Sequence, residues 1–408
     1  MLRISTYTMY QNGEQAISTA QSQLMQTELQ LSSGKQINSP ADNPIGAANV
    51  ASLKGTLSQL TQFQSNQNEA QLQLNQADST MSSLVNLVQS AQQTLVQAGD
   101  GSYTDSQRQA LAQSLQNDLS QMVGLANTSD GQGGYLFAGS QQSAPPFTQV
   151  GNSVSYGGDG VLQSVQVSQN RQLQIKFSGD DVFQKIRPGN GSFVTAAGSG
   201  NTGSGVIDAG SVNNPSALTG DNYAISFTVS GSSTTYQVQN TTTNQTVTSG
   251  NYTSPTTVSF DGLQVNLSGA PANNDSFTVA PAGYQSIFTT LSNAIAALQQ
   301  PADTPAATAQ LQTSLGSTLA SMSQALDHMT LTQAQVGDQL QQLSSYTSLN
   351  SARSLQASSA LSSIQDLDYA KAASQMAQQQ TIFQAALQSY TSVSKLSLFN
   401  FFSGGGAM

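Results

Sequence analysis

Residues 53–95 read LKGTLSQLTQFQSNQNEAQLQLNQADSTMSSLVNLVQSAQQTL. Within them Leu53, Thr56, Leu60, Phe63, Gln67, Ala70, Leu74, Ala77, Met81, Leu84, Val88, Ala91 and Leu95 follow one another in alternating steps of three and four. Only Thr56 and Gln67 in that row are polar. A 3–4 alternation held this long is the seam of a coiled coil. It predicts one helix from about residue 45 to 98, roughly 70–80 Å long at ~1.5 Å per residue. A rod of that length suits an elongated molecule better than a compact globule.

The same reading extends outward. Residues 9 to 33 lack proline and carry Ile17, Leu24 and Leu31 at seven-residue spacing, with Ala20 between. A shorter helix is expected from Asp105 to Ala126, capped by Thr104 or Asp105, whose side-chain oxygens can accept the orphan amides of the first turn. Helix returns after Pro281, and Pro301 and Pro305 bracket a break. Leu315, Leu319, Met322, Leu326, Met329, Gln333, Val336, Leu340 and Leu343 then resume the alternation. A last helix is expected from about 355 to 395, with Tyr369, Ala373, Met376, Phe383, Leu387 and Tyr390 on one side. After it comes an apolar close containing Leu398, Phe399, Phe401 and Phe402.

Between the helical halves the pattern turns to period two. Tyr223, Ile225, Phe227 and Val229 share a strand face, as do Tyr236 and Val238, Val258 and Phe260, Val265 and Leu267, and Phe277 and Val279. Short alternating runs between Gly and Asn turns read as an antiparallel sandwich or barrel. The Gly-rich stretch 189–205 reads as a linker into it. The fold class is therefore α+β. Both chain ends build an elongated antiparallel long-helix coiled-coil bundle, and an all-β antiparallel tip is inserted. The expected domains are a terminal helical one (1–44 with 365–408), a helical rod with β-hairpins (45–188 with 284–364) and a β-rich outer one (189–283).

Composition narrows the function. The 408-residue chain is only 8% charged with a net charge of -10, so amides and hydroxyls carry its solubility. Its 11 basic residues are scattered, leaving no basic stripe to follow a phosphate backbone and no basic amphipathic face for a membrane. Nucleic acid and membrane insertion are not expected. With no Cys, disulfides, thiol chemistry and Cys-type zinc sites are excluded. No apolar run reaches transmembrane length, and the first fourteen residues lack a signal-peptide core. Mass spectrometry of the secreted protein is expected to find the chain starting at Met1 or Leu2; a start twenty or more residues in would contradict this.

Catalytic chemistry is missing from the sequence. His328 is the single histidine and lies mid-helix beside Asp327. Alone it makes no zinc site, and no nucleophile elbow accompanies it. Gly157-Gly158-Asp159-Gly160 lacks the P-loop lysine and the spaced acids of an EF-hand, so it reads as a turn. Asp180 and Asp181, adjacent on an apparent strand end, should face opposite ways and make a poor acid/base pair. No catalytic residue, cofactor or metal is expected.

Three segments carry a resemblance. The first is Leu31-Ser-Ser-Gly34-Lys35-Gln-Ile37-Asn38-Ser-Pro40-Ala-Asp42-Asn43-Pro44, where Gly34 permits the left-handed end of the first helix and Asp42 or Asn43 caps the next. The second is Gly134-Tyr-Leu-Phe137-Ala-Gly-Ser140 with Pro145-Pro-Phe147 after it, and the third runs from Asp368-Tyr369-Ala370 to Leu396-Ser-Leu398-Phe399-Asn400. Together they resemble the flagellin and hook-associated protein superfamily. The Phe137 and Phe399-Asn400 contexts are closer to its junction members than to flagellin; a flagellin-type filament subunit is the alternative. Residues 206–283 also look like a β module inserted in some hook-associated proteins.

The resemblance implies an extracellular structural protein of the bacterial flagellum, exported by the flagellar type III apparatus with a chaperone masking its C-terminal end. It implies self-assembly in an axial ring, with the other hook-associated junction protein on one side and flagellin on the other. Some flagellins show an innate immune receptor an arginine near the end of the long helix. Gln92 and Gln93 stand at the matching places, so that recognition is not expected. The assembly residues expected are Ile17, Leu24, Leu31, Gly34, Asn38, Asp42, Tyr369, Met376, Phe383, Leu387, Tyr390, Leu398, Phe399, Phe401 and Phe402. A lone helix of such length is marginal in water. Residues 1–40 and 365–408 are therefore expected to order on assembly, the alternative being that they pair in the monomer.

Overall fold

The structure, a computed structural model, describes residues 6–131, 133–141 and 144–403; side chains are described from residue 8 to 395 outside the same gaps. Its helices are α1 (Thr6–Ser33), α2 (Pro44–Ala98), α3 (Asp105–Ala126), α4 (Ile287–Gln299), α5 (Pro305–Gln365) and α6 (Tyr369–Ser403). Strands β1 (Phe147–Val150), β2 (Ser153–Tyr156), β3 (Ser164–Ser168) and β4 (Arg171–Gln174) form two hairpins. Strands β5 (Phe193–Ala197), β6 (Val206–Ile207), β7 (Ser211–Val212), β8 (Tyr223–Ser230) and β9 (Ser233–Asn240) follow, then β10 (Gln245–Asn251), β11 (Thr256–Phe260), β12 (Leu263–Ser268) and β13 (Ser276–Pro281). The chain divides into two compact units, Met1–Ser65 with Thr347–Met408, and Asn66–Tyr346.

In the Asn66–Tyr346 unit the seam residues of α2 from Ala70 to Leu95 are all buried. They share one core with Leu315, Met322, Met329, Val336 and Leu343 of α5 and with α3 and α4. The two long helices run antiparallel: Gln92 reaches Ser323 Oγ at 3.3 Å, and Gln333 reaches Asp78 at 3.4 Å. The polar seam residue Gln67 is buried with a partner, its Nε2 donating to the Val167 carbonyl at 2.7 Å. Helix α3 starts at a capping box in which Thr104 and Gln107 bond reciprocally. Phe137, Phe147, Phe183 and Phe288 meet as one ring cluster, with centroid distances of 5.1–5.6 Å around Phe183. The second resembling segment thus supplies core aromatics. A buried ion pair, Lys176 Nζ to Asp130 Oδ2 at 2.7 Å, ties the same loop to the segment after β4.

The β module is a sandwich within this unit. A five-stranded sheet ordered β10-β9-β8-β13-β5 faces a smaller one in which β12 pairs with β11, β6 and β7. Tyr223, Ile225, Phe227, Val238, Val258, Phe260, Val265, Leu267, Phe277 and Val279 fill the core between them. Residues 189–205 are not a linker. They hold β5, paired along Phe193–Ala197 with β13, and Phe193 is buried in the module's core. Glycines that looked like flexible spacing serve as turns around one short strand. The module rests on α5 through hydroxyls: Ser321 Oγ accepts the Gly189 N–H at 2.7 Å and Thr313 Oγ1 accepts the Ile207 N–H at 3.4 Å.

Two further expectations are corrected. The last helix begins at Tyr369, not near 355. Neither Pro nor Gly interrupts α5 there, and the break comes at Asp366-Leu367-Asp368, where Asp368 Oδ1 accepts the Lys371 N–H at 3.0 Å as the cap of α6. Asp180 and Asp181 do not sit on a strand. They open a single π-helical turn, Asp180–Gln184, and converge on Lys185 at 2.8 and 2.6 Å, which pushes the lysine's pKa upward. His328 Nε2 lies 2.7 Å from the Asp181 carbonyl, a bond that holds this turn against α5. Among the described residues no helix is long and apolar enough to cross a membrane, and no cluster of acids or histidine could hold a metal ion.

Candidate assembly site

The site is built in the unit of Met1–Ser65 and Thr347–Met408, around the corners that join its helices. Helix α1 ends at Ser33, and Gly34 takes φ +65°, the left-handed conformation a glycine enters at no steric cost. A Cβ there would also lie 2.7 Å from the Tyr369 hydroxyl oxygen. The corner after α1 pairs with the corner before α6: Gln36 N–H donates to the Gln365 carbonyl at 2.7 Å and Leu367 N–H to the Gly34 carbonyl at 3.1 Å.

Asp42 closes the first corner. Its Oδ2 accepts the Ser39 and Asn38 N–H groups at 2.8 and 3.0 Å, and its Oδ1 accepts Gln26 Nε2 at 3.0 Å. The N–H groups of Ser39 and Asn38 hold its carboxyl below the usual carboxylate range. With the folded pKa depressed, the stabilisation is complete above about pH 4 and is lost as pH falls below it. Asn43, rather than Asp42, caps α2, accepting the Gly46 N–H at 2.9 Å with Pro44 in the first turn. The superfamily-like run from Leu31 to Pro44 is thus a corner whose polar residues bond one another.

Above the corner α1 pairs with α6 in antiparallel fashion. This is the paired arrangement that stood as the alternative for the chain ends. Tyr10 meets Tyr390 edge to face at 5.9 Å, and Thr27 Oγ1 donates to Gln379 Oε1 at 2.6 Å. Ala20, Thr27 and Ala372 are buried on this seam, while Ile17, Leu24, Leu31, Met376, Phe383 and Tyr390 are half-buried on it. Leu387 points away from the seam, and Ala386 takes the half-buried place beside it. Tyr369 and Asn38 are exposed. The side chains of Leu398, Phe399, Phe401 and Phe402 lie outside the described residues.

The pair leaves much apolar surface uncovered. Met9, Met25, Leu29, Ile382 and Leu387 are exposed on α1 and α6, Ile45 on α2 is 77% exposed and Leu355 on α5 is 74% exposed. Sequence reasoning missed all of these except Leu387, because a reading that follows one seam ignores the opposite side of the same helix. These exposed apolar side chains make the unit a candidate surface for assembly.

Comparison with known proteins places the chain in a family. Residues 4–142 match the family described as the bacterial flagellin N-terminal helical region. Residues 196–281 match the D2-like domain of flagellar hook-associated protein 1. The chain is 26% identical to flagellar hook-associated protein 3 of Escherichia coli K12 over 399 residues, which is 98% of this chain and 99% of that one. The crystal structure of Xanthomonas campestris FlgL superposes with a TM-score of 0.71 at 30% identity, covering 76% of this chain and 99% of that one. The hook-associated protein 3 structure from Legionella pneumophila does so with a TM-score of 0.74 at 27% identity, covering 77% and 98%.

Proposed function

The chain belongs to the family of flagellar hook-associated protein 3, the FlgL junction proteins, and from that premise we propose how it works as a structural part of the hook–filament junction. It acts by packing, without catalysis. Residues 1–44 and 365–408 are its assembly domain, and the exposed apolar side chains of α1, α2, α5 and α6 are the observation that carries this reading. Copies of the chain complete one another around the axis through head-to-tail contacts, which generate rings or helices rather than closed dimers. The other hook-associated junction protein lies on the hook side and flagellin on the filament side. The chain leaves the cell by the flagellar type III route with its N-terminus uncleaved, and a chaperone covers the C-terminal apolar end beforehand.

The test is genetic. Cells lacking the chain should carry hooks without attached filaments and lose flagellin to the medium; filaments that stay attached would overturn the reading. Resupplying a variant in which 190–283 is replaced by a short Gly/Ser linker should restore attachment. Removing the module takes the Ile207 N–H from Thr313 on α5, a hydroxyl that water can satisfy, and keeps Gly189, the partner of Ser321, while the helical core around Leu315 and Met322 stays closed. Normal secretion of this variant without attachment would show that the module takes part in the junction.

A further inference from the structure

The α1 seam alternates small and large residues: Gly13, Ile17, Ala20, Leu24, Thr27, Leu31, Gly34. The α6 seam alternates in the opposite sense: Tyr369, Ala372, Met376, Gln379, Phe383, Ala386, Tyr390. Every one of these positions except Tyr369 is buried or half-buried. The two ends of the pairing are fixed by close approach. A Cβ on Gly13 would lie 2.9 Å from the Tyr390 ring, and a Cβ on Gly34 would lie 2.7 Å from the Tyr369 hydroxyl. Both helices step by the same heptads between those ends, so Ala20 falls opposite Phe383, Thr27 opposite Met376, and Ile17 and Leu31 opposite Ala386 and Ala372. Gln379 breaks the size pattern, and the Thr27 hydroxyl bonds its amide oxygen.

We infer that Gly13 and Gly34 are positioning residues whose missing side chains set the register of α1 on α6. A slide of half a heptad would set large residues against large ones. A slide of one heptad would press Tyr390 onto Ala20 or Tyr369 onto Thr27. Glycine weakens a helix interior relative to alanine, and at Gly13 this is offset by the ring it admits. Register matters because it decides which exposed side chains of the two helices, Met25 and Leu29 against Ile382 and Leu387, form one surface for a neighbour. This last step rests on the adaptor reading; the register itself does not.

The absence of native cysteine makes the register directly readable. In the secreted full-length protein, Ile17→Cys with Ala386→Cys should oxidise to an intramolecular disulfide, and Ile17→Cys with Val393→Cys, one heptad out, should not. Adding Gly13→Leu should abolish the in-register cross-link, although leucine is the better helix former, and filament attachment should be lost. Adding Tyr390→Ala as well should restore both, because the large and small partners have been exchanged. A cross-link that survives Gly13→Leu, or one that Tyr390→Ala fails to restore, overturns the inference. Recovery of the cross-link without recovery of attachment, where Tyr390→Ala alone still attaches filaments, leaves the register standing and counts against the adaptor reading.

Discussion

Replacing Phe183 with alanine is expected to cost about 3–5 kcal/mol of stability, the range for deleting a fully buried ring. Phe183 has no measurable exposure and is the hub of four rings: it meets Phe137 and Phe147 edge to face and stacks on Phe288 at 5.6 Å. Those rings come from the loop after α3, from β1 and from α4, so one substitution loosens three segments at once. Edge-to-face and offset contacts add about 0.5–1.5 kcal/mol per pair beyond area burial. The deletion cannot heal by local collapse, because Leu, Val and Met side chains already close-pack the surrounding core. Urea unfolding should show a lower midpoint at unchanged slope. Val150→Ala serves as the control. That side chain is 76% exposed at a hairpin tip, and its loss should change stability by less than about 0.5 kcal/mol. A Phe183→Ala effect as small as the control's would mean that the cluster does not hold the helical unit together.

Much of this fold was legible because its signals are long. The thirteen-residue seam from Leu53 to Leu95 cannot arise readily in a strand or a loop, and all of it from Leu60 onward is buried. The alternating pairs of the β module were equally plain, since a half-buried strand must alternate. What escaped was short or polar. Strand β5 hid among glycines because its apolar content is little more than Phe193 and Val194. The break before α6 hid because two aspartates and a leucine make it, with no proline or glycine. The turn at Asp180–Gln184 was misread because its apolar pair, Val182 and Phe183, is too short to show a period.

The helix pairing and corner at the candidate assembly site were legible in part. Gly34 and Asp42 declared themselves through turn chemistry, and Tyr369, Met376, Phe383 and Tyr390 through heptad spacing. Gly13 and Thr27 did not, because a search for apolar residues passes over small and polar ones. In an antiparallel pair they are as informative as leucines, since their size determines what can sit opposite. Leu29 and Ile45 escaped for another reason: an exposed apolar residue has no periodic partner in its own chain, and its meaning comes from a surface that the chain does not contain.

Ending the chain after Lys395 is expected to abolish filament attachment while leaving secretion and the Asn66–Tyr346 unit intact. The cut falls beyond Val393 and Ser394, both half-buried, so the pair keeps every contact described here. It removes Leu398, Phe399, Phe401 and Phe402, a run of apolar side chains with no charge among them. Burying one such side chain contributes about 1.5–3 kcal/mol, so four together amount to roughly 6–12 kcal/mol of potential binding energy. Even the lower figure, discounted by half for the ordering entropy of the segment, spans about two powers of ten in an equilibrium constant. That is enough to decide whether a junction under mechanical load keeps its filament. Flagella sheared from such cells should be hooks alone, with the truncated protein and flagellin both in the medium. Its urea midpoint should match that of the full chain. Filaments that remain attached at the normal frequency would show that the apolar end is dispensable and that the exposed faces of α1, α2, α5 and α6 suffice to hold the junction.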